Sequence, residues 1–300
     1  MLLEQILVHP ETHDPLQVDW SKKNTSMDSH GQYQIGFVEN VLYILPSEPG
    51  KFHSSDIHLG HHTDFDYLDH YQRDAEVFDY FKTMPGKADQ EERRRLDQMI
   101  IRSIPENTNS ILDVGCGNGW LAKAMTDEKT SVISMDISSR NPVEALRLHP
   151  HPRHEAIIAD VFHLPFRENS LDCIVASEIM EHVPDPGLFI QKLLFVLRPG
   201  GKLIVTTPYN EQIQYHLCVH CNRPTPSHAH LHSFNEENIS KLIPQGIQDW
   251  KIRTFSHKYM IKSRMYLLMK YFPFSVWQTT DKLANRIWNR PMRLMLELIK

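Results

Sequence analysis

The stretch LDVGCGNGW, Leu112 to Trp120, decides the fold. An apolar run closes on an acid, Asp113, and three glycines follow two apart, at Gly115, Gly117 and Gly119. Positions without a side chain reach backbone conformations closed to other residues and let a ligand touch the main chain. A helical pattern starts at Trp120. Strand, bare turn and helix in this order open a doubly wound sheet, in which ligands lie beyond the carboxyl ends of the strands.

Outward from this stretch the rhythm continues. The apolar runs SILDV, SVISM, EAIIA, LDCIVAS and KLIVTT alternate with the helical segments WLAKAMTDE, NPVEALRL and GLFIQKLLFVL. Such alternation predicts an α/β fold, a parallel sheet covered by helices on both faces. Dinucleotide binders show G-x-G-x-x-G, which would put the third glycine where Trp120 stands; the spacing here is G-x-G-x-G. Spacing alone separates cofactor classes weakly, so the later strands decide. The second strand ends at Asp136, placed to accept both hydroxyls of a ribose. The third ends at Asp160 within ADVFHLPF, the fourth reads LDCIVASEIMEHV, and LRPGGKLIVTTP leads through Gly200 and Gly201 into the fifth. One acid at a strand end is usually just a cap. Four landmarks in order are not coincidence.

Residues 110 to about 245 resemble the class I S-adenosylmethionine-dependent methyltransferases, in particular the small-molecule branch that includes the ubiquinone-pathway enzymes. The resemblance rests on LDVGCGNG, SMDIS, ADVFHLPF, ASEIMEHVPDP and LRPGGKLIVTTP. It implies a Rossmann-like seven-stranded sheet whose last strand, from PMRLMLELI, is antiparallel. It implies S-adenosyl-L-methionine as cofactor, with Asp113, Gly115, Cys116, Gly117 and Gly119 around its methionine and ribose portion. Asp136 would meet the ribose hydroxyls, and Asp160, Val161 and Phe162 would surround the adenine. Ile137 and Ser177 complete the implied cofactor set.

A sulfonium is already an activated methyl donor, so the protein must align a nucleophile and exclude water. A hydroxyl nucleophile also needs a base or metal to help remove its proton. Glu178, Glu181 and His182 stand just past the fourth strand, where an acceptor should lie. Two carboxylates and an imidazole suit Mg²⁺ or another divalent ion, and ubiquinone-type and small-RNA 2′-O-methyltransferases look similar here. His182 acting as a base without metal, and a loop that only buttresses the site, are the competing readings.

Further on, LCVHCNRPTPSHAHLHSF places Cys218 and Cys221 at zinc-ligand spacing, with His230 and His232 shortly after. A structural zinc held by Cys218, Cys221, His230 and His232 is the preferred reading. His230 or His232 in the substrate pocket is the alternative; a redox pair lacks its strand-to-helix context.

Three regions follow. Residues 1–50 form a small β-rich module that resembles the zinc ribbon of tRNA methyltransferase activator proteins. His9 and Thr12 stand at its cysteine positions, which favours a metal-free module. Residues 51–105 form a helical lid or linker, with Tyr67, Tyr71, Phe78, Tyr80 and Phe81 as candidate lining. Residues 106–300 form the methyltransferase domain, with an insertion at 209–234 and a basic amphipathic segment at 258–290.

Charge is unevenly spread over the 300 residues: Trp250 to Lys300 carries 11 Lys and Arg against 2 Asp and Glu, and the remainder 21 against 35. An acidic body argues against a nucleic-acid partner, since phosphate binding needs basic surface. The basic segment reads either as a helix lying in a membrane surface, serving a lipid-linked acceptor, or as a lid packed on the domain. No signal-peptide pattern and no run of about 18 apolar residues is present, so a cytoplasmic protein, peripheral to membrane at most, is expected. The function expected is methyl transfer to a small molecule, at a hydroxyl oxygen. Methylation of RNA or protein is the alternative, followed by a nicotinamide-dependent oxidoreductase and a binding protein without catalysis.

Overall fold

A computed structural model describes residues 1–21, 31–48, 66–82, 84–127, 129–217, 222 and 224–300. Its strands are β1 (Tyr33–Val38), β2 (Val41–Pro46), β3 (Ser110–Val114), β4 (Ser131–Asp136), β5 (His154–Ala159), β6 (Leu171–Ser177), β7 (Leu197–Pro208), β8 (Tyr215–Leu217), β9 (Pro224–Pro226), β10 (Asp249–His257) and β11 (Pro291–Ile299). Its helices are α1 (Leu2–Ile6), α2 (Tyr67–Val77), α3 (Lys87–Ser103), α4 (Trp120–Met125), α5 (Arg140–Leu148), α6 (Pro186–Val196), α7 (Glu236–Ser240), α8 (Lys258–Lys262), α9 (Tyr266–Met269) and α10 (Phe274–Ile287).

The five apolar runs of the sequence are β3 to β7. Every residue of β3 and of β5 is buried, as expected of strands covered on both faces. The main sheet has nine strands in the order β1-β2-β5-β4-β3-β6-β7-β11-β10. Strands β2 to β7 pair in parallel, and β11 is antiparallel to both β7 and β10. The seven strands from β5 to β10 are the expected Rossmann-like sheet with its antiparallel PMRLMLELI strand, and β1 and β2 add two more.

The segment 1–50, expected as a module of its own, shares the main core where it is described. A two-stranded hairpin cannot bury its own face. Instead Leu42, Tyr43 and Ile44 of β2 pair with Ile157, Ile158 and Ala159 at the β5 edge. The N–H of Leu2 donates to the Glu155 carboxylate at 2.8 Å, and Leu3, Ile6, Leu7, Tyr33 and Ile35 join the cluster built on Ile133, Ile157 and Phe166. His9 accepts from the N–H groups of Glu11 and Thr12 at 3.3 and 3.2 Å, so its Nδ1 closes a turn.

On the other face α3 packs through Leu96, Met99, Ile100 and Ser103, all buried at helical spacing. Beside them α10 inserts Phe274 and Trp277 into the same cluster. β8 and β9 form a separate antiparallel pair. Cys218 and Cys221 lie outside the described residues, as does the His-rich stretch at 53–62.

Candidate active site

The carboxyl ends of β3, β4, β5 and β6 converge on one edge of the sheet. Left-handed glycines shape the turn after β3: Gly115, Gly117 and Gly119 have φ of 69°, 49° and 69°. A Cβ on Gly119 would come 2.8 Å from the Ala145 Cβ, so this glycine lets α4 approach α5. A Cβ on Gly117 would meet nothing within 4 Å, so that position faces open space. The N–H groups of Gly115 and Cys116 both donate to the Met135 carbonyl, at 2.8 and 3.0 Å, which ties the turn to β4. Asp113 is 1% exposed, and its Oδ2 has no hydrogen-bond partner among the described residues. Burial pushes its carboxyl up to about 7, against the pull of Arg93.

Asp136 accepts from the Ser138 N–H at 2.9 Å and the Asn141 side chain at 3.1 Å. Burial still raises its pKa. Asp160 is fully buried and already engaged. It accepts from the Phe162 N–H at 3.0 Å, from His163 Nδ1 at 2.8 Å and from the Tyr67 hydroxyl. Ser177 accepts from the Thr206 hydroxyl at 3.2 Å.

Helix α2 lies across these ends. Tyr67 reaches Asp160 after β5. Gln72 donates to the Ile137 carbonyl at 2.8 Å and accepts from the Ser139 N–H at 3.1 Å, both after β4. Tyr71 donates to the His182 carbonyl at 3.0 Å, after β6. One helix thus spans three successive loops. Phe78 and Tyr80 do not line the site; they are exposed and pack on each other. Phe81 lies under Arg140.

Beyond β6 the structure brings Glu181, His182 and His230 together, with one ligand atom of each within 4.8 Å of the others. Glu181 is 1% exposed, and its Oε2 has no partner among the described residues. Burial, then the neighbouring Glu178, pushes its pKa well above the ordinary carboxylate range. The segment carrying His230 is clamped from below, because the N–H groups of Leu231 and His232 donate to the Glu181 carbonyl at 2.8 and 3.2 Å. His182 Nδ1 lies 3.3 Å from the Ala229 carbonyl, and His230 Nδ1 lies 2.5 Å from Glu211 Oε2. A carbonyl and a carboxylate only accept, so each Nδ1 is the donor and Nε2 is the ring atom left to face an ion or a substrate. Burial, then His230, holds the His182 imidazole down at about 3.

Two sequence expectations are regrouped. Glu178 was expected beside Glu181 and His182, but its carboxylate pairs with Arg293, which also binds Glu92. His230 and His232 were expected at one zinc. Among the described residues His230 joins Glu181 and His182, and His232 Nε2 lies 3.3 Å from the Pro184 carbonyl; the Cys218 and Cys221 half of that set lies outside the described residues. Glu211, Gln72 and Arg293 carried no signal in the sequence, because each acts on a residue far along the chain; even the nearest such pair, His230 and Glu211, is 19 apart.

Residues 61–245 match the family described as a methyltransferase domain. The chain belongs to that family. A ubiquinone biosynthesis O-methyltransferase of Serratia proteamaculans is 29% identical over 161 residues, which cover 52% of this chain and 61% of the relative. The protein of the same name from a Bradyrhizobium species is 30% identical over 175 residues, covering 55% of this chain and 63% of the relative. The match thus spans about three fifths of the length of these curated relatives. Phosphoethanolamine N-methyltransferase 2 of Haemonchus contortus, solved with S-adenosyl-L-methionine, shares the fold with a TM-score of 0.52 at 16% identity, over 79% of this chain and 60% of that one. In this methyltransferase-family chain the glycine turn, Asp136 and the Asp160 loop occupy the carboxyl edge of the sheet, and the Glu181, His182 and His230 group stands next to them.

Proposed function

We propose that this chain transfers the methyl group of S-adenosyl-L-methionine to an oxygen of a small-molecule acceptor. The observation that carries this is the Glu181, His182 and His230 group at the end of β6, beside the glycine turn and beneath α2. Gly117 leaves the backbone open to the cofactor, Asp113 offers a buried carboxylate to its ammonium group, and Asp136 turns toward its ribose. The relatives named for O-methyl transfer support oxygen as the receiving atom.

The donor set fits a divalent ion. Two imidazoles and a carboxylate whose buried Oε2 has no partner among the described residues suit Zn²⁺, Mn²⁺ or a similar ion better than Mg²⁺, which favours oxygen ligands. Glu181, His182 and His230 would hold it, with Glu211 orienting His230 from outside. Such an ion lowers the pKa of a bound hydroxyl. The chain's own residues do the rest. Tyr71 and α2 exclude water. Without an ion Glu181, whose pKa lies well above the ordinary range, is the better proton acceptor, since an imidazole held near 3 is a weak base.

Methyl transfer from labelled S-adenosyl-L-methionine into a fractionated cell extract tests the reading. Label in small organic-soluble or aqueous metabolites, lost in Glu181→Gln, is the expected outcome. Label found only in nuclease- or protease-sensitive material would make it a macromolecular methyltransferase.

A further inference from the structure

The excursion between β10 and β11 leaves the sheet at the edge that carries the site. His257 and Pro291 are register partners at its two ends, and Arg293 faces Pro208 at the carboxyl end of β7. Within it, the residues facing the body are settled. Met260, Phe274 and Trp277 are buried, and Asp281 accepts from the Ser256 and His257 N–H groups at 3.2 and 2.6 Å. The Arg95 guanidinium, 1% exposed, is bonded to Glu91 and to the carbonyls of Met269 and Phe272. That contact fixes α9 and the start of α10 from beneath.

The opposite side is apolar as well. Around α9 and its exit, Leu268 is 65% exposed and Tyr271 78%, with Leu267 and Phe272 exposed beside them. Along α10 the exposed apolar residues are Val276, Leu283 and Ile287. At 100° per residue they fall on one stripe, roughly opposite Phe274, Trp277 and Asp281. A helix apolar on both sides has one more surface to bury than its own domain covers.

The charges around this stripe have one sign. Lys258, Lys262, Arg264, Lys270, Lys282 and Arg286 are all exposed. The two acids between Trp250 and Lys300 are turned inward, with Asp281 2% and Glu297 3% exposed. Tyr259 and Trp288 stack at 4.3 Å next to Arg290, and both remain exposed. Rings of this kind, with an apolar body and a polar tip, prefer a membrane interface.

We propose that this face docks on an anionic lipid bilayer, with Leu268, Tyr271, Leu283 and Ile287 entering the interface and the lysines and arginines on the lipid phosphates. Docking there holds the carboxyl edge of the sheet near acceptors that partition into lipid. Among the described residues no helix is long and apolar enough to cross a membrane, so the contact is peripheral. A second copy of the chain is the other occupant an apolar face admits. A two-fold contact would set this wholly cationic rim against itself, which disfavours it.

The test is co-sedimentation of the full chain with phosphatidylcholine vesicles, with and without phosphatidylglycerol, at low and high salt. Binding is expected only with phosphatidylglycerol and is lost at high salt. Leu268→Glu/Tyr271→Glu should abolish it. Lys282→Gln/Arg286→Gln should weaken it roughly thirtyfold, at about fivefold per surface charge. Thermal unfolding checks that each variant is folded, and the second pair touches only exposed residues. A protein that stays in the supernatant at low salt overturns the proposal. So does binding that both variants retain. So does a wild-type dimer in sedimentation equilibrium that Leu268→Glu converts to monomer.

Discussion

Arg293, near the start of β11, binds Glu178 of the loop after β6 and at the same time Glu92 of α3 at 2.7 Å. The two acids lie far apart in the sequence, one on α3 and one after β6, and one guanidinium joins them. Glu178 sits at a φ of 60°, a left-handed conformation that a non-glycine residue adopts only when its surroundings impose it. The contact holds Glu178 outside the group formed by Glu181, His182 and His230.

Removing Arg293 should therefore leave two carboxylates, 19% and 9% exposed, with no cation beside them. Arg293→Met is expected to lower unfolding free energy by about 3 kcal/mol, the scale for breaking a buried pair. Adding Glu178→Gln should restore part of the loss. Urea denaturation of the single and double variants measures both. Equal midpoints for wild type and Arg293→Met would show that the pair contributes nothing.

The sheet was legible because the strands β3 to β7 are buried on both faces and so read as unbroken apolar runs bounded by glycine and acid. The antiparallel β11 came from the family resemblance, since its run PMRLMLELI is broken by Arg293 and Glu297 and says nothing of direction. The β1–β2 pair read as strands too, but no local signal tells a hairpin that stands alone from one that pairs with β5; that is set by the exposed edge it meets. At the site, the strand-end acids could be named because each closes a strand. The regrouping of Glu178 and His230 could not. Arg293 arrives from the last strand, and the Leu231 and His232 N–H groups are drawn to the Glu181 carbonyl by tertiary contact alone. Spacing along the chain carries none of that.

If Asp113 meets the cofactor's ammonium group as proposed, cofactor binding should depend on pH. Its ordinary value of 3.8 rises to about 7 through burial, so in the free protein the carboxyl is protonated below that pH. A cationic ammonium is attracted to the carboxylate, not to the acid. Affinity for S-adenosylhomocysteine should be full above about pH 7 and fall by up to tenfold per unit below it. Stability of the free protein runs the other way. The native state keeps a proton that the unfolded chain has lost, so this group's contribution declines as pH rises from about 4 to about 7. Calorimetric titration from pH 5.5 to 8 checks the binding arm, all these pH values being roughly one step either side of the ordinary histidine range. A slope that survives in Asp113→Asn would assign it to another group.

The glycines of the turn should separate folding from binding. Gly119→Ala drives a Cβ to 2.8 Å from Ala145 and forces a φ of 69° on alanine. A loss of thermal stability is expected, on the order of 1–2 kcal/mol from the backbone alone. Gly117→Val meets open space, so its cost to the fold is backbone strain only, while the branch would enter the volume proposed for the cofactor. It should lose at least the stability that backbone strain alone costs Gly119→Ala, on the order of 1–2 kcal/mol, and yet the folded protein should fail to bind S-adenosylhomocysteine. Normal binding by the folded Gly117→Val protein would move the cofactor away from this turn.

Glu211 offers the most selective probe of the candidate metal centre, because it is not one of the three clustered ligands. Its carboxylate accepts from His230 Nδ1 at 2.5 Å, and the interaction holds the Glu211 pKa below its usual value. An outer carboxylate of this kind fixes the ring orientation and raises the basicity of the opposite nitrogen. Glu211→Gln preserves the shape and keeps a weaker acceptor for the Nδ1 proton. If Glu181, His182 and His230 hold an ion, the variant should bind Mn²⁺ or Zn²⁺ about 10- to 100-fold more weakly than wild type. His230→Ala should remove most of the binding, because it deletes a ligand outright. Calorimetric metal titrations of the three proteins, folded as judged by circular dichroism, give the comparison. Equal affinity in wild type and His230→Ala would place any bound ion elsewhere, and Glu211 would then be a partner of His230 in the substrate pocket alone.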